Sequence, residues 1–289
     1  MAQPKSKVVR TISDFSAEIE AALKASKDRH EGKPNTPELI VNWYRGIGVA
    51  ETYPLTPSLY RHSDKKVDNL LRMEGKMLEW FRRRGSVYHP IRPSANEELD
   101  RLELLFFMQH YGVPTRLLDW TENPYIGLYF ALTAAKYDAA NGIYVSPAAL
   151  WILDPVSWNE KSLGSGWGGR GPLSAEDGLT HGYSPVGRKP DTKLLRDESS
   201  AIYGTYNNAR IAAQRGVFVI FGSERASMEE AFDKRHYPKD SLLKLIFEPA
   251  EIPYLLEAVV SMGFTDSSSY PDLQGLAMEL RRHFKFPLS

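Results

Sequence analysis

The sequence predicts an α+β protein, in which a central mixed or antiparallel sheet of short strands is flanked by helices and preceded by an N-terminal helical region. Three observations predict it. Helical-period segments come early, short apolar runs are spread through the middle and end, and no internal repeat marks a solenoid or a regular βα array. The 289 residues suffice for one large domain or two small ones.

Met1 to Arg10 reads as a frayed tail. Ser13 to Leu23 reads as a capped helix with Phe15, Ile19, Ala22 and Leu23 on its apolar side, and Lys27 to Pro37 as a polar connection. Leu39 to Gly46 has strand character and ends at a glycine. Tyr53 to Tyr60 carries too many prolines for regular structure and is expected to drape over the surface. Val67 to about Arg84 reads as a helix whose three terminal arginines complement its dipole, and Glu97 to Gln109 as a second. Thr115 to Thr121 reads as a strand, and Asn123-Pro124 starts a small-residue helix over Tyr125 to Tyr137. Strands are expected at 142–145, 149–154, 216–221 and 242–247, with helices at 252–262 and 273–282. Between Ser162 and Lys193 the chain is rich in glycine and proline and reads as a long loop insertion.

Composition narrows the function. Lysine plus arginine equals aspartate plus glutamate at 36 each, so the basic excess usual in a nucleic-acid binder is missing. Without a cysteine there is no disulfide, thiolate metal site or cysteine nucleophile. No apolar run reaches the roughly 18–20 residues that span a bilayer. A cytoplasmic protein without a membrane partner is expected. The seven histidines never fall at zinc-ligand spacing, and HExxH, GxSxG and a strand–GxGxxG–helix phosphate loop are all absent.

Three blocks carry chemistry. In the first, Trp43, Arg45 and Ile47 share one face of a strand and Tyr44 and Gly46 the other. An arginine flanked by aromatics can grip an anion bidentately, and Gly46 would let a ligand approach the backbone. A salt bridge from Arg45 to Asp119 is the alternative. The second runs from His110 to Pro124, with Asp119 and Thr121 on one strand face and Arg116 and Trp120 on the other. His110 and Tyr111 sit just upstream, and Tyr129 follows on the next helix. In the third, Arg210 to Phe218, Gln214 stands just before a strand and could anchor a polar group or cap an edge.

Together these blocks resemble the FRG domain family. Trp43-Tyr44-Arg45-Gly46 matches its aromatic-Arg-Gly signature. His110 to Pro124 is similar to its longest motif, and Arg210, Gln214, Gly216 and Phe218 match its R-x-x-x-Q-x-G-x-F block. The resemblance covers about residues 38 to 250. It implies a tail and helix over 1–37 and an FRG domain over 38–289, with the glycine-rich insertion at about 162–193 inside it. A more distant likeness is to ADP-ribosyltransferase-like folds, which present a His-Gly or Arg pair on the first core strand, a Ser or Thr leading into a helix with a tyrosine, and a later Glu or Gln. Arg45-Gly46, Thr121 with Tyr129, and Gln214 occur here in the same order. A catalytic glutamate is typical there, and Gln214 takes its place here.

That likeness implies NAD as substrate and cleavage of the nicotinamide–ribose bond, by a transferase or glycohydrolase that could serve as a toxin or an antiphage defence protein. Arg45, Asp119 and Gln214 are the expected catalytic residues. Trp43, Tyr44, Gly46, Tyr111, Arg116, Trp120, Thr121 and Tyr129 are the expected cofactor-binding ones, without a metal. Partners would be a nucleotide-like small molecule and a protein or nucleic-acid acceptor. The alternatives are a binding module that has lost catalysis and a nucleic-acid-directed protein.

Overall fold

The chain enters its sheet at once. Lys5–Val8 (β1) pairs in parallel with Leu242–Phe247 (β9) at the sheet edge. The description that follows rests on a computed structural model and covers residues 4–51, 54–64, 66–88, 97–164, 166–184, 195–205 and 209–286. The expected tail is therefore in part a strand. All four of its residues are exposed, so no hydrophobic alternation announces it.

Helix α1 (Ile12–His30) opens on a capping box between Thr11 and Asp14 and runs into the expected connection. Strand β2 (Trp43–Ile47) follows, then a 3-10 turn at Ser58–Arg61, α2 (Val67–Gly85) and α3 (Glu97–His110). Strand β3 (Leu117–Thr121) leads into α4 (Pro124–Thr133), whose cap Asn123 accepts hydrogen bonds from the N–H groups of Tyr125 and Ile126. A small hairpin, β4 (Tyr137–Asp138) and β5 (Ile143–Tyr144), precedes β6 (Ala148–Leu153) and α5 (Pro155–Leu163). After a 3-10 turn at Gly178–Tyr183 come β7 (Ser200–Ile202), α6 (Ala209–Gln214), β8 (Gly216–Ile220), α7 (Met228–Lys234) and β9. Helices α8 (Ile252–Ser261), α9 (Asp266–Ser269) and α10 (Leu273–His283) close the described chain. None of the described helices is long and apolar enough to cross a membrane.

Seven strands form one mixed sheet in the order β1-β9-β6-β2-β3-β8-β7, antiparallel everywhere except at the β1–β9 edge. On one face Trp43, Ile47, Trp120, Trp151 and Val217 pack against α2, α7 and the 55–60 segment. Leu55, Leu59 and Tyr60 are buried there, so this part of the expected surface stretch is core; Tyr53 lies outside the described residues. Two separate clusters cover the other face. Tyr44, Leu150 and Ile152 pack with Phe15 of α1, Leu128 and Tyr129 of α4 and Leu255 of α8. Leu117, Phe218 and Ile220 pack with Leu102 and Phe106 of α3 and with Trp167, Leu173 and Tyr183.

Those last three belong to the expected loop insertion. Its described residues are packed, since Gly171 O accepts from Asn159 Nδ2 at 3.0 Å and from Trp167 Nε1 at 2.8 Å. Ser165 and residues 185–193 of that stretch lie outside the described residues. The seam between the two clusters falls at β2 and β3, where the candidate site forms.

Candidate functional site

β2 and β3 are neighbours that barely pair. Tyr44 opposite Thr121 is their one bridged pair, whereas β2–β6 and β3–β8 each pair over five residues. The strands part beyond that pair, leaving main-chain acceptors without ladder partners. Arg45 fills the gap. Its Nη1 donates to Asp119 O at 2.6 Å and lies 4.0 Å from Asp119 Oδ2, so the expected Arg45–Asp119 ion pair is present and includes the main chain. Burial lowers the Arg45 pKa, Asp119 opposes the shift, and nearby Arg61 adds to it.

The Asp119 carboxylate points to the other face, into a cavity of about 190 Å³. Its orientation is set by a relay that begins at the end of α3. Leu117 N donates to Thr115 Oγ at 3.1 Å, and Thr115 Oγ donates to Gln109 Oε1 at 2.5 Å. That fixes the carboxamide of Gln109 with its NH2 group toward β3, where Nε2 donates to Asp119 Oδ2 at 2.8 Å. The Asp119 side chain is 55% exposed toward the cavity. The surrounding protein nonetheless desolvates it and raises its pKa above the ordinary carboxylate value, against Arg45 and the Gln109 hydrogen bond.

Helix α6 and the α9–α10 junction supply the opposite wall. Arg210 and Gln214, four residues apart on α6, both line the cavity with His110, Asp119 and Tyr270. Arg210 Nε donates to Asp272 Oδ2 at 2.7 Å, and its guanidinium stacks 5.2 Å from the centre of the Tyr270 ring. Gln214 Nε2 donates to Ser269 O at 3.0 Å. Desolvation lowers the His110 pKa, helped by Arg210 and opposed by Asp119. It raises the Tyr270 pKa, opposed by Arg210. No group of three or more His, Asp or Glu among the described residues is placed to hold a metal.

The expected site residues divide sharply. Asp119 and Gln214 share the cavity. Trp120 borders it only as the neighbour of Asp119 in β3, because its side chain is 3% exposed and packs in the core on the opposite sheet face. Arg45 stands behind Asp119, in the strand gap. Thr121 is buried and committed, its hydroxyl donating to Gln214 O at 2.6 Å and accepting from Asn123 N at 3.0 Å. That bond ties β3 to the turn before β8. Tyr111 is 59% exposed at the end of α3 and packs on Phe107, Phe81 and His110.

Several others must be corrected, because they are core. Trp43 is fully buried on the opposite sheet face against Tyr203, and Tyr44, beneath α4, and Tyr129, on α4 itself, are buried within the second cluster. Gly46 serves helix packing. A Cβ there would stand 2.1 Å from Gly127 O and 2.4 Å from Ala131 N, so the glycine seats α4 on β2 and no ligand is needed to explain it. Arg116 is 0% exposed. Its N and Nε donate to Glu74 at 3.0 and 2.9 Å, and its Nη groups donate to Phe221 O and Tyr183 O. A ligand does not reach it.

Sequence reasoning missed Gln109, Tyr270 and the placement of Arg210 on α6, and it marked His110 only as lying just upstream of β3. The i, i+4 spacing of Arg210 and Gln214 was the available signal for α6. Compared with family models, residues 41–140 match the FRG domain. The chain carries an FRG domain. The matched span runs from just before β2 to just after β4 and supplies Arg45, Gln109, His110 and Asp119, while Arg210, Gln214 and Tyr270 come from the chain after it. No curated protein and no solved structure matches the chain.

Proposed function

We propose that the FRG cleft binds the ribosyl–nicotinamide end of NAD and that the protein breaks the bond between them, as an ADP-ribosyltransferase or NAD glycohydrolase. The observation that carries the reading is Asp119, a carboxylate open to the cavity whose Oδ2 is held by Gln109 and whose main-chain O is held by Arg45. As the C1′–N bond breaks, its electron pair leaves with neutral nicotinamide and positive charge builds on the ribose. A carboxylate preorganised by fixed hydrogen bonds stabilises that charge. An acceptor O–H then bonds to C1′, and its proton passes to His110, whose lowered pKa favours the neutral imidazole.

A cavity of about 190 Å³ suits one ring system and falls below the roughly 300–1,000 Å³ usual for whole ligands, so the adenosine half would extend outside it. Tyr270 is the ring best placed to contact nicotinamide, since Trp43 and Tyr129 are buried elsewhere. The test is incubation with NAD and chromatography of the products. Nicotinamide release that falls about 100-fold or more in Asp119→Asn supports the reading, by analogy with loss of one preorganised electrostatic group. Neither release nor calorimetric binding of NAD would defeat it. If the protein acts on the cellular NAD pool, its expression arrests growth and Arg45→Ala relieves the arrest.

One observation favours a second reading, a module that binds without turnover. Asp119 is the one carboxylate among the described cavity residues, and Gln214 spends its amide N–H on Ser269 O. Thermal stabilisation by NAD without product would select that reading.

A further inference from the structure

Away from the cleft, α2 carries a second cavity of about 460 Å³ between its outer face and the 3-10 turn. Met73, Lys76, Met77 and Trp80 recur at i, i+3, i+4 and i+7 and so share one helix face. Leu70, Leu71, Glu74 and Leu78 are the residues α2 buries, and Met73 and Met77 border that stripe. The cavity therefore runs along the edge of the buried stripe, where Met73 and Met77 are partly packed on the core and partly open to it, and Trp80 extends the apolar surface outward. Leu59 closes the cavity from the turn, and Arg84 stacks on Trp80 with its guanidinium 5.1 Å from the ring centre. Methionines adapt their shape to whatever fills the space beside them.

The charge at this cavity has one sign. Arg61 and Lys76 lie in its wall, and no carboxylate does among the described residues. Nor does any described carboxylate form an ion pair with either cation. Arg61 spends its Nε on Thr56 O at 2.9 Å, and Lys76 is exposed. An apolar pocket bordered by unneutralised cations is complementary to a molecule with a hydrophobic body and an anionic head.

We propose that this cavity is a binding site for a small amphipathic anion, an alkyl or aryl carboxylate, with its apolar part against Met73, Met77 and Trp80 and its head on Arg61 and Lys76. The ligand is distinct from the nucleotide of the cleft, and the site stands whether or not the protein acts on NAD.

The probe is dodecanoate below its micellar concentration, added to the full chain and followed by calorimetry and tryptophan fluorescence. Trp80→Phe identifies the signal that comes from the pocket. Saturable binding at one site is expected, at least about tenfold tighter than for dodecyltrimethylammonium, which is about 1.4 kcal/mol. The exposed double charge reversal Arg61→Glu/Lys76→Glu should weaken dodecanoate by about tenfold or more and leave dodecan-1-ol within about twofold. Trp80→Asp, at a largely exposed position of the wall, should abolish binding of both by calorimetry while the circular dichroism spectrum stays native. Absence of saturable binding, equal affinity for the cationic probe, or affinity unchanged by the charge reversal would each overturn the proposal.

Discussion

Glu74→Ala is the sharpest test of how this fold treats the charges of its central motif. Arg116 and Glu74 are both fully buried, joined through Arg116 Nε at 2.9 Å and through the Arg116 backbone N–H at 3.0 Å. Removing the carboxylate leaves the guanidinium charged among Tyr183 O, Phe221 O and apolar neighbours, and it leaves a buried N–H without an acceptor. Breaking one side of a buried pair costs about 3–5 kcal/mol. At roughly 2–4 °C per kcal/mol for a chain of this general size, the melting temperature should fall by about 6–20 °C. Glu74→Gln keeps an acceptor and the shape while dropping the charge, so it should fall between wild type and Glu74→Ala. Urea unfolding followed by circular dichroism, with thermal melts, reads both. A loss of less than about 1 kcal/mol for Glu74→Ala would show that water reaches the pair, and the separation of Arg116 from the cleft would fail with it.

Gly46→Ala should destabilise the protein by about 3 kcal/mol or more, at or above the upper end for overpacking, because its Cβ would strike the backbone of α4 at Gly127 and Ala131; a variant that melts like wild type and loses only ligand affinity would return Gly46 to the ligand. Asp154 gives an acid-side prediction. Against its own desolvation, hydrogen bonds from His30 and Ser157 hold its pKa below the ordinary value, so its stabilisation is complete above the unfolded value of about 3.9 and disappears as pH falls through the native one. Asp154→Asn should therefore lose stability at neutral pH and flatten the acid-unfolding profile. Asp119 has the opposite sign. Its native pKa is raised, so the native state binds its proton more tightly and stability declines as pH rises from the ordinary carboxylate value to the native one. Asp119→Asn should melt at or above the wild-type temperature at pH 7, as differential scanning fluorimetry would show.

The sequence made the inner strands of the sheet and the motif order legible, because both are local patterns, whereas the edge strands β1 and β7 were not expected. β9 falls at the expected residues 242–247, α2 and α3 match to within a residue or two, and Asn123-Pro124 does start α4. Strand parity also separated Asp119 from Arg116 correctly. What parity cannot show is which face is open. Trp43 and Tyr129 resemble ligand-stacking aromatics in sequence, yet both are buried, Trp43 in the core on the α2 side of the sheet and Tyr129 where α4 packs on the other side. Glu74 was legible in principle, since a glutamate between Leu70 and Leu78 at i, i+4, i+8 spacing marks a charge within a buried stripe. The far wall of the cleft was not. Tyr270 reaches Arg210 across 60 residues of chain through the α9–α10 junction, and no periodicity encodes that contact. β1 was missed for a different reason, as an exposed edge strand has no apolar face to read.

The central claim is that Asp119 is held in the FRG cleft to act on a ribosyl–nicotinamide bond. The most direct measurement is nicotinamide released from NAD by the wild-type chain and by Asp119→Asn under identical conditions, with the fold of each checked by circular dichroism. The account predicts turnover by the wild type and a loss of about 100-fold or more in a folded Asp119→Asn protein. Equal release from the two proteins, or no release and no NAD binding by the wild type, would contradict it.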